Sequence, residues 1–556
     1  MPNILTPVSL WSNFDTSLET LPESVSSSEH GEVVFERLKI SGRQTENGRV
    51  KIAVAFAYNR QSLSSDAVLI FPDSNKTVDD SILEFFVNHG YCALMVDYRG
   101  KWKDCDFYTE YPEDVAYANT AECGRRKDYV DDSADKTSWY EWVAVGLYAS
   151  KYLSERIKGD KIAVVGVHDG GEIAWQLGVA GNFKCIVPVR AVGWRAYRGI
   201  HKYSPEELNL DEERYRFIAG IDSQSYAPNV KCPVLMLCAL YDREVDYDRA
   251  FDTFSRINSD YISESSIAYS VKCGAGIDSY GVADMFLFLD KNLKNRQVFI
   301  PKPPVIAVEA DENSNLVART KFDNLGVVAN SRLYLAEDSV DSSLRDWTVC
   351  REMGKSDTDF LYFLDVYEKT GTIFALNRVK YSNGFTVWSK MAVKKLSGRF
   401  RNNRCKCRVL YTDNDGAGNF FIEAKDGGVG GVFFPDDSVL PRVVTKVKGV
   451  KGLYSEYGLS SLRLNNPGFT PSANNLLSLD IFCDENAEFV FTVTDVRSEE
   501  EFINTLNIIG GVWQTVILDG KAFKSASGTT LSNFEGDYKI TFNCPVGFAI
   551  NNIMWL

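Results

Sequence analysis

Between Glu32 and Leu293 two kinds of segment alternate. The first kind is short, apolar and rich in Val, Ile and Phe: VKIAVAFAY, DAVLIFPD, YCALMVDYRG, KIAVVGVH, KCIVPV, CPVLMLCALYD and IAYSVKC. The second kind carries its apolar residues at helical spacing: SILEFFVNHG, SWYEWVAVGLYASKYLSERI and GGEIAWQLGVA. Strands that are apolar on both faces cannot face water on either side. Helices must cover them, which predicts an α/β fold with a mostly parallel sheet over the first half of the chain.

One junction in that pattern is unusual. The strand KIAVVGVH runs straight into the helix GGEIAWQLGVA through Gly166-Val167-His168-Asp169-Gly170-Gly171. A strand that turns sharply into a helix needs small residues two before and two after the apex, because larger side chains there collide. Gly166 and Gly170 meet that need if His168 is the apex. An apex at Asp169 would put Val167 in a position with little room.

On these residues the sequence resembles the α/β-hydrolase superfamily, and more closely bacterial dienelactone-hydrolase-like and acetyl-xylan-esterase-like proteins. The pieces that carry the likeness are AVLIFPDSN, GYCALMVDYRG, FYTEYPEDVAYAN followed by SWYEWVAVGLYASKYL, the GVHDGG turn and CPVLMLCALYDREV, over residues 30–295. The resemblance implies an ester-hydrolysing triad. Its nucleophile, normally Ser, falls on His168, and its acid, after the strand CPVLMLCALYD, falls on Asp242. Its imidazole should stand in the later loop VKCGAGIDSYG, which has none. The four histidines are His30, His89, His168 and His201, so no imidazole follows position 201. The implied oxyanion hole would use backbone N–H groups of Asp169 and of the Pro72–Ser74 loop, hence Asp73. Triad members act as a unit, so a chain lacking two of them keeps little catalysis.

Other uses of these residues remain open at this stage. His168 could act as a nucleophile oriented by Asp242. A metal held by His168, Asp169 and Asp242 has chemically suitable donors, but no ligand spacing supports it, so neither a metal nor another cofactor is expected. His201 and Trp194 follow a strand where this fold often carries a lid, and are candidate ligand contacts; Arg190 and Arg195 lie beside them and could clamp a carboxylate. Tyr108, Tyr111, Tyr117 and Trp139 could stack on a sugar ring or simply pack a long loop. His89, before Gly90, suits a helix C-terminus.

IPKPPV at 300–305 is a linker signature, after which helical spacing nearly vanishes. Lys369-Thr370-Gly371 and Ser382-Asn383-Gly384 are hairpin signals. The expected organisation is therefore an α/β-hydrolase-like domain over 1–299, an immunoglobulin-like β-sandwich over 305–396 and a second all-β unit over 397–556 with Gly-rich turns DGAGN and DGGVGG. The end of that last unit resembles jelly-roll carbohydrate-binding modules through Trp513, Asp519, Phe523, Leu531, Asn551, Asn552, Ile553 and Trp555. Asp413-Asn414-Asp415-Gly416 is read as a tight turn, because its Gly comes too early for an EF-hand loop.

A net charge of -14 without an extended Lys/Arg run argues against a nucleic-acid partner. No apolar stretch reaches about 18 residues, so no membrane helix is expected. The N-terminal stretch lacks a basic region followed by an apolar one, and the twelve Cys are scattered, so a cytoplasmic location with reduced thiols is expected. The reading is a hydrolase-like protein that has lost ester hydrolysis and acts in binding or assembly, with a carbohydrate or another protein as partner and self-association open. The alternatives are a carbohydrate or small-ester hydrolase with an atypical site, and a carbohydrate-binding protein.

Overall fold

A computed structural model describes residues 4–102, 105–322, 328–356, 359–423, 431–471, 475–534 and 536–556. The apolar runs of the first half form one sheet. Its strands are β1 (Glu23–His30), β2 (Val33–Thr45), β3 (Gly48–Asn59), β4 (Asp66–Phe71), β5 (Cys92–Asp97), β6 (Lys161–Val167), β7 (Cys185–Val189), β8 (Leu235–Ala239) and β9 (Ser266–Ser270). Their order is β1-β2-β3-β5-β4-β6-β7-β8-β9. The pairs from β1 to β5 are antiparallel, and every pair from β5 onward is parallel. Every residue of β5, β7, β8 and β9 is buried, as the continuous apolar runs require.

Helices Asp80–Asn88, Ser138–Ile157, Asp169–Ala180 and Ser279–Leu293 cover the two faces. Ser138–Ile157 starts where the Thr137 side chain accepts from the Tyr140 N–H, and ends at Lys158 in the left-handed region. Asp80–Asn88 closes on His89, whose Nδ1 lies 2.7 Å from the Phe85 carbonyl while its ring stacks on Phe286. This unit is an α/β domain built on a mixed, mostly parallel sheet.

Two all-β units follow. The first has one antiparallel sheet in the order Val305–Ala310, Leu316–Lys321, Asp359–Phe363, Arg351–Lys355, and a second in the order Thr348–Val349, Val328–Glu337, Thr372–Tyr381, Thr386–Trp388, with Ala392–Lys395 also on Thr372–Tyr381. Ser382-Asn383-Gly384 does make a hairpin, with Gly384 at φ 90°. Lys369-Thr370-Gly371 makes a turn but no hairpin. The strands on either side belong to different sheets, so the chain crosses the sandwich there.

The last unit is a sandwich of a six-stranded and a five-stranded sheet. Phe523, Leu531, Ile553 and Trp555 are in its core, whereas Trp513 is only half buried against Gly452. Thr412 caps the short turn Asp413–Asp415, and Gly416 has φ 63°. The DGGVGG turn lies, apart from Gly431, outside the described residues.

The apolar core under the large sheet continues into the first sandwich through Trp347, Phe374 and Trp388. Arg345 and Asp248 form an ion pair across this junction with both side chains 0% exposed. The Trp347 Nε1–H donates to the Tyr247 hydroxyl at 3.1 Å, and the Thr386 N–H to Asp284 at 2.8 Å. The last unit is tied on by backbone bonds from Ile422 to Lys272, Ile277 to Val432 and Phe434 to Ile277, and by Tyr241 stacked on Phe421 at 3.8 Å. Among the described residues no helix is long and apolar enough to cross a membrane.

Candidate functional site

His168 is the apex of the β6-to-helix turn, at φ 51° and ψ -109°, a region that side-chain-bearing residues rarely adopt. The flanking glycines make the turn feasible. A Cβ on Gly166 would lie 1.9 Å from the Gly170 carbonyl oxygen, and one on Gly170 would lie 2.3 Å from that of Phe71. The turn therefore lifts the side chain of residue 168 off the carboxyl end of the sheet. The helix that follows places Asp169 and Glu172 in its positively polarised first turn.

The imidazole of His168 sits between carboxylates. Its Nδ1 is 3.0 Å from Asp73 Oδ1, and its Nε2 is 3.0 Å from Glu244 Oε2. Asp169 Oδ1 is 4.0 Å from Nδ1. Burial alone would favour the neutral ring, but the Asp73 hydrogen bond and the charges of Asp169 and Asp73 outweigh it, so its pKa is raised. Asp169 is itself fully buried, yet Arg195, His168 and Lys127 hold its carboxyl well below the usual range against the cost of burial. The Arg195 Nη1 and Lys127 Nζ each lie 2.6 Å from it, and the Ser74 hydroxyl donates to it.

Asp242 is not part of that cluster. It stands two residues before Glu244 and is held by Arg190, with Nε donating to Oδ2 and Nη2 to Oδ1. The expectation that Asp242 would orient His168 is therefore corrected. Arg190, at φ 55° just beyond β7, reaches the acid and takes the role of partner. The expected oxyanion hole concerns the backbone N–H groups of Asp169 and of the Pro72–Ser74 loop; the side chains of Asp73 and Asp169 themselves turn toward the His168 ring.

Asp73, His168 and Asp169 bring three metal-type donor atoms within 4.8 Å of one another. These donors are already engaged: Lys127 and Arg195 pair with Asp169, and His168 Nδ1 lies 3.0 Å from Asp73. Around His168, Lys127 and Arg195 pair with Asp169 while Asp73 and Glu244 face the ring; Arg190 and Asp242 form a separate pair.

A cleft of about 270 Å³ opens over His168. All three units line it: Trp194, Arg195, His201, Glu244 and Asp246 from the first, Asp341–Ser343 from the second, and Val496 and Arg497 from the third. His201 Nε2 lies 3.4 Å from Asp341 Oδ2 across the cleft. Ser343 is close but donates to Asp341, not to the ring. Among the described residues no serine hydroxyl is hydrogen-bonded to an imidazole. The Trp194 ring carries the guanidiniums of Arg249 and Arg256 at 5.3 and 4.8 Å, and its Nε1–H donates to Thr253. Deeper in the wall Glu172 accepts from Ser223 and from the Gly193 N–H, and burial beside it pushes Asp222 up to about 7.

Trp139 is fully buried and donates to the Lys127 carbonyl, and the Tyr111 hydroxyl donates to the Tyr98 carbonyl. These rings pack the long loop and offer no platform. Sequence reasoning missed Glu244 and Lys127 as neighbours of the elbow. Glu244 carried a usable signal, lying two positions beyond Asp242. Lys127 carried none, since it comes from an irregular loop.

No family model and no curated protein matches the sequence. Solved structures do resemble it. An acetyl xylan esterase from Paenibacillus sp. is 17% identical over 52% of this chain and 92% of its own, at a TM-score of 0.39. Acetyl xylan esterase 1 from Thermoanaerobacterium sp. is 16% identical over 52% and 94%, at 0.38. A dienelactone-hydrolase-like protein from Klebsiella pneumoniae is 11% identical over 48% and 92%, at 0.29. The fold assignment itself rests on the strand order and the elbow.

Proposed function

We propose that this chain is an α/β-hydrolase-type protein without ester hydrolysis, whose three-walled cleft works by binding a small polar ligand. The supporting observation is the state of His168. Each ring nitrogen faces a carboxylate at 3.0 Å, an arrangement that favours the doubly protonated ring. A doubly protonated ring has no lone pair, so it neither attacks a carbonyl nor accepts a proton. The family acid cannot repair this, because Arg190 holds it. The guanidiniums over Trp194 also argue against sugar stacking as the mode of binding.

The test is turnover of p-nitrophenyl acetate and butyrate and of an acetylated xylo-oligosaccharide, the substrate class that the esterases above are named for. Release at the buffer rate is expected for the native chain and for His168→Ser. Turnover that survives purification and disappears in His168→Ala would overturn the proposal. Binding is checked by thermal shift against amino acids, dicarboxylates and monosaccharides. At least one class is expected to raise the melting temperature, with the shift lost in Glu244→Ala.

A further inference from the structure

Two thiols of the last sandwich face each other far from the cleft. Cys483 ends the strand Leu477–Cys483 of the six-stranded sheet, and Cys544 directly follows the strand Tyr538–Asn543 of the five-stranded sheet. Their Sγ atoms are 3.7 Å apart, although the residues are 61 positions apart in sequence. A disulfide needs about 2.05 Å, so closing the pair takes a movement of about 1.7 Å, within reach of side-chain rotation.

The two partners differ in a way that orders the chemistry. Cys483 is fully buried, and burial together with the neighbouring Cys544 pushes its thiol up to about 12. Cys544 is only half buried and lies between the exposed residues Asn543 and Pro545. A dissolved oxidant meets Cys544 first.

We propose that Cys483 and Cys544 form a redox-sensitive cross-link that staples the two sheets of the C-terminal sandwich. The oxidant is a low-molecular-weight disulfide, RSSR. The Cys544 thiolate attacks one sulfur of RSSR, breaking its S–S bond, forming a mixed disulfide and releasing RS⁻. The Cys483 thiol then loses its proton and attacks the Cys544 sulfur, which expels the second RS⁻. Two protein thiols are oxidised, and one RSSR is reduced to two RSH.

The site is a staple rather than a catalytic centre. The strand Ala487–Asp495 starts just after Cys483 and pairs along Tyr538–Asn543, while the cleft residues Val496 and Arg497 leave its other end. The cross-link therefore pins the end of the sandwich remote from the cleft.

The full chain is treated with oxidised glutathione, and disulfides are mapped by non-reducing peptide mass spectrometry. A Cys483–Cys544 linked peptide is expected. The melting temperature should rise by several degrees, roughly as closing a loop of this length implies, and should fall back on adding dithiothreitol. Cys544→Ser should leave Cys483 unmodified, and Cys483→Ser should trap glutathione on Cys544, so the two single variants separate the roles even if stability changes. Glutathione found only on the exposed Cys405 or on Cys407, with Cys483 and Cys544 both free, would overturn the proposal.

Discussion

Arg345→Met tests whether the first two units behave as one body. Arg345 comes from the first sandwich and Asp248 from the α/β unit, and both side chains are 0% exposed. The guanidinium meets both carboxylate oxygens, lies 3.6 Å over the Phe374 ring, and donates to the Ser339 carbonyl at 2.9 Å. Methionine roughly preserves the apolar contact with Phe374. What it removes is the counter-charge of a carboxylate that has no access to water. Breaking a buried pair on one side costs about 3–5 kcal/mol, because the remaining charge is uncompensated. At about 2–4 °C per kcal/mol, the melting transition should fall by roughly 6–20 °C. Adding Asp248→Asn removes the orphaned charge, so the double variant should be more stable than Arg345→Met alone. Scanning calorimetry of the two single variants and the double completes the cycle. A fall below about 2 °C for Arg345→Met, or strict additivity, would refute the claim that this pair is desolvated across a rigid junction.

The elbow should tolerate no bulk. Gly170→Ala, whose Cβ would lie 2.3 Å from the Phe71 carbonyl oxygen, is expected to cost about 3 kcal/mol or more in urea unfolding. His168 has a pKa raised by its carboxylates, so its charge stabilises the fold fully below the ordinary imidazole value of about 6.5 and ceases to do so as pH rises through the higher folded value. The stability advantage of the native chain over His168→Asn should thus shrink as pH rises above the ordinary imidazole value, and a ¹⁵N titration of His168 should show a midpoint above that value. Asp169 has the opposite sign. Its contribution is present above about 3.8 and is lost only as pH falls through its lower folded value, which an acid unfolding curve of Asp169→Asn would check.

The parallel sheet and the His168 apex were legible in the sequence because both are local. Continuous apolar runs impose a sheet covered on both faces, and glycines at fixed offsets impose the turn. The partners of the apex were not legible. Asp73, Lys127 and Glu244 come from three separate loops, and loop geometry is set by packing rather than by any repeat. Arg190 was visible as a cation near the cleft, but its grip on Asp242 depends on a left-handed backbone conformation that nothing in KCIVPVR announces. The same holds for Lys369-Thr370-Gly371. A turn signal shows where the chain reverses, not which sheet it enters next. The third wall of the cleft, Val496 and Arg497, was likewise beyond reach, since it depends on how three units dock.

On the proposed non-hydrolytic reading, a small set of replacements acting together separates this site from a hydrolase, which makes the reverse experiment informative. A serine at 168 restores the hydroxyl but finds no base. Ala275 lies in the loop where the family imidazole belongs, and shares with Asp242 and Arg190 the wall of a pocket of about 210 Å³. Ala275→His beside His168→Ser supplies a base, yet its acid would still be neutralised by a guanidinium with Nε 2.5 Å away. Only a third change, Arg190→Ala, frees Asp242 to orient the new imidazole. Because triad members contribute as a unit, the single and double variants should hydrolyse p-nitrophenyl acetate at the buffer rate, and the triple variant should exceed it by at least about tenfold. If His168→Ser with Ala275→His were as active as the triple variant, Arg190 would not be what silences Asp242. If His168→Ser were active by itself, a base would already stand in the cleft, and the non-hydrolytic reading would fall with it.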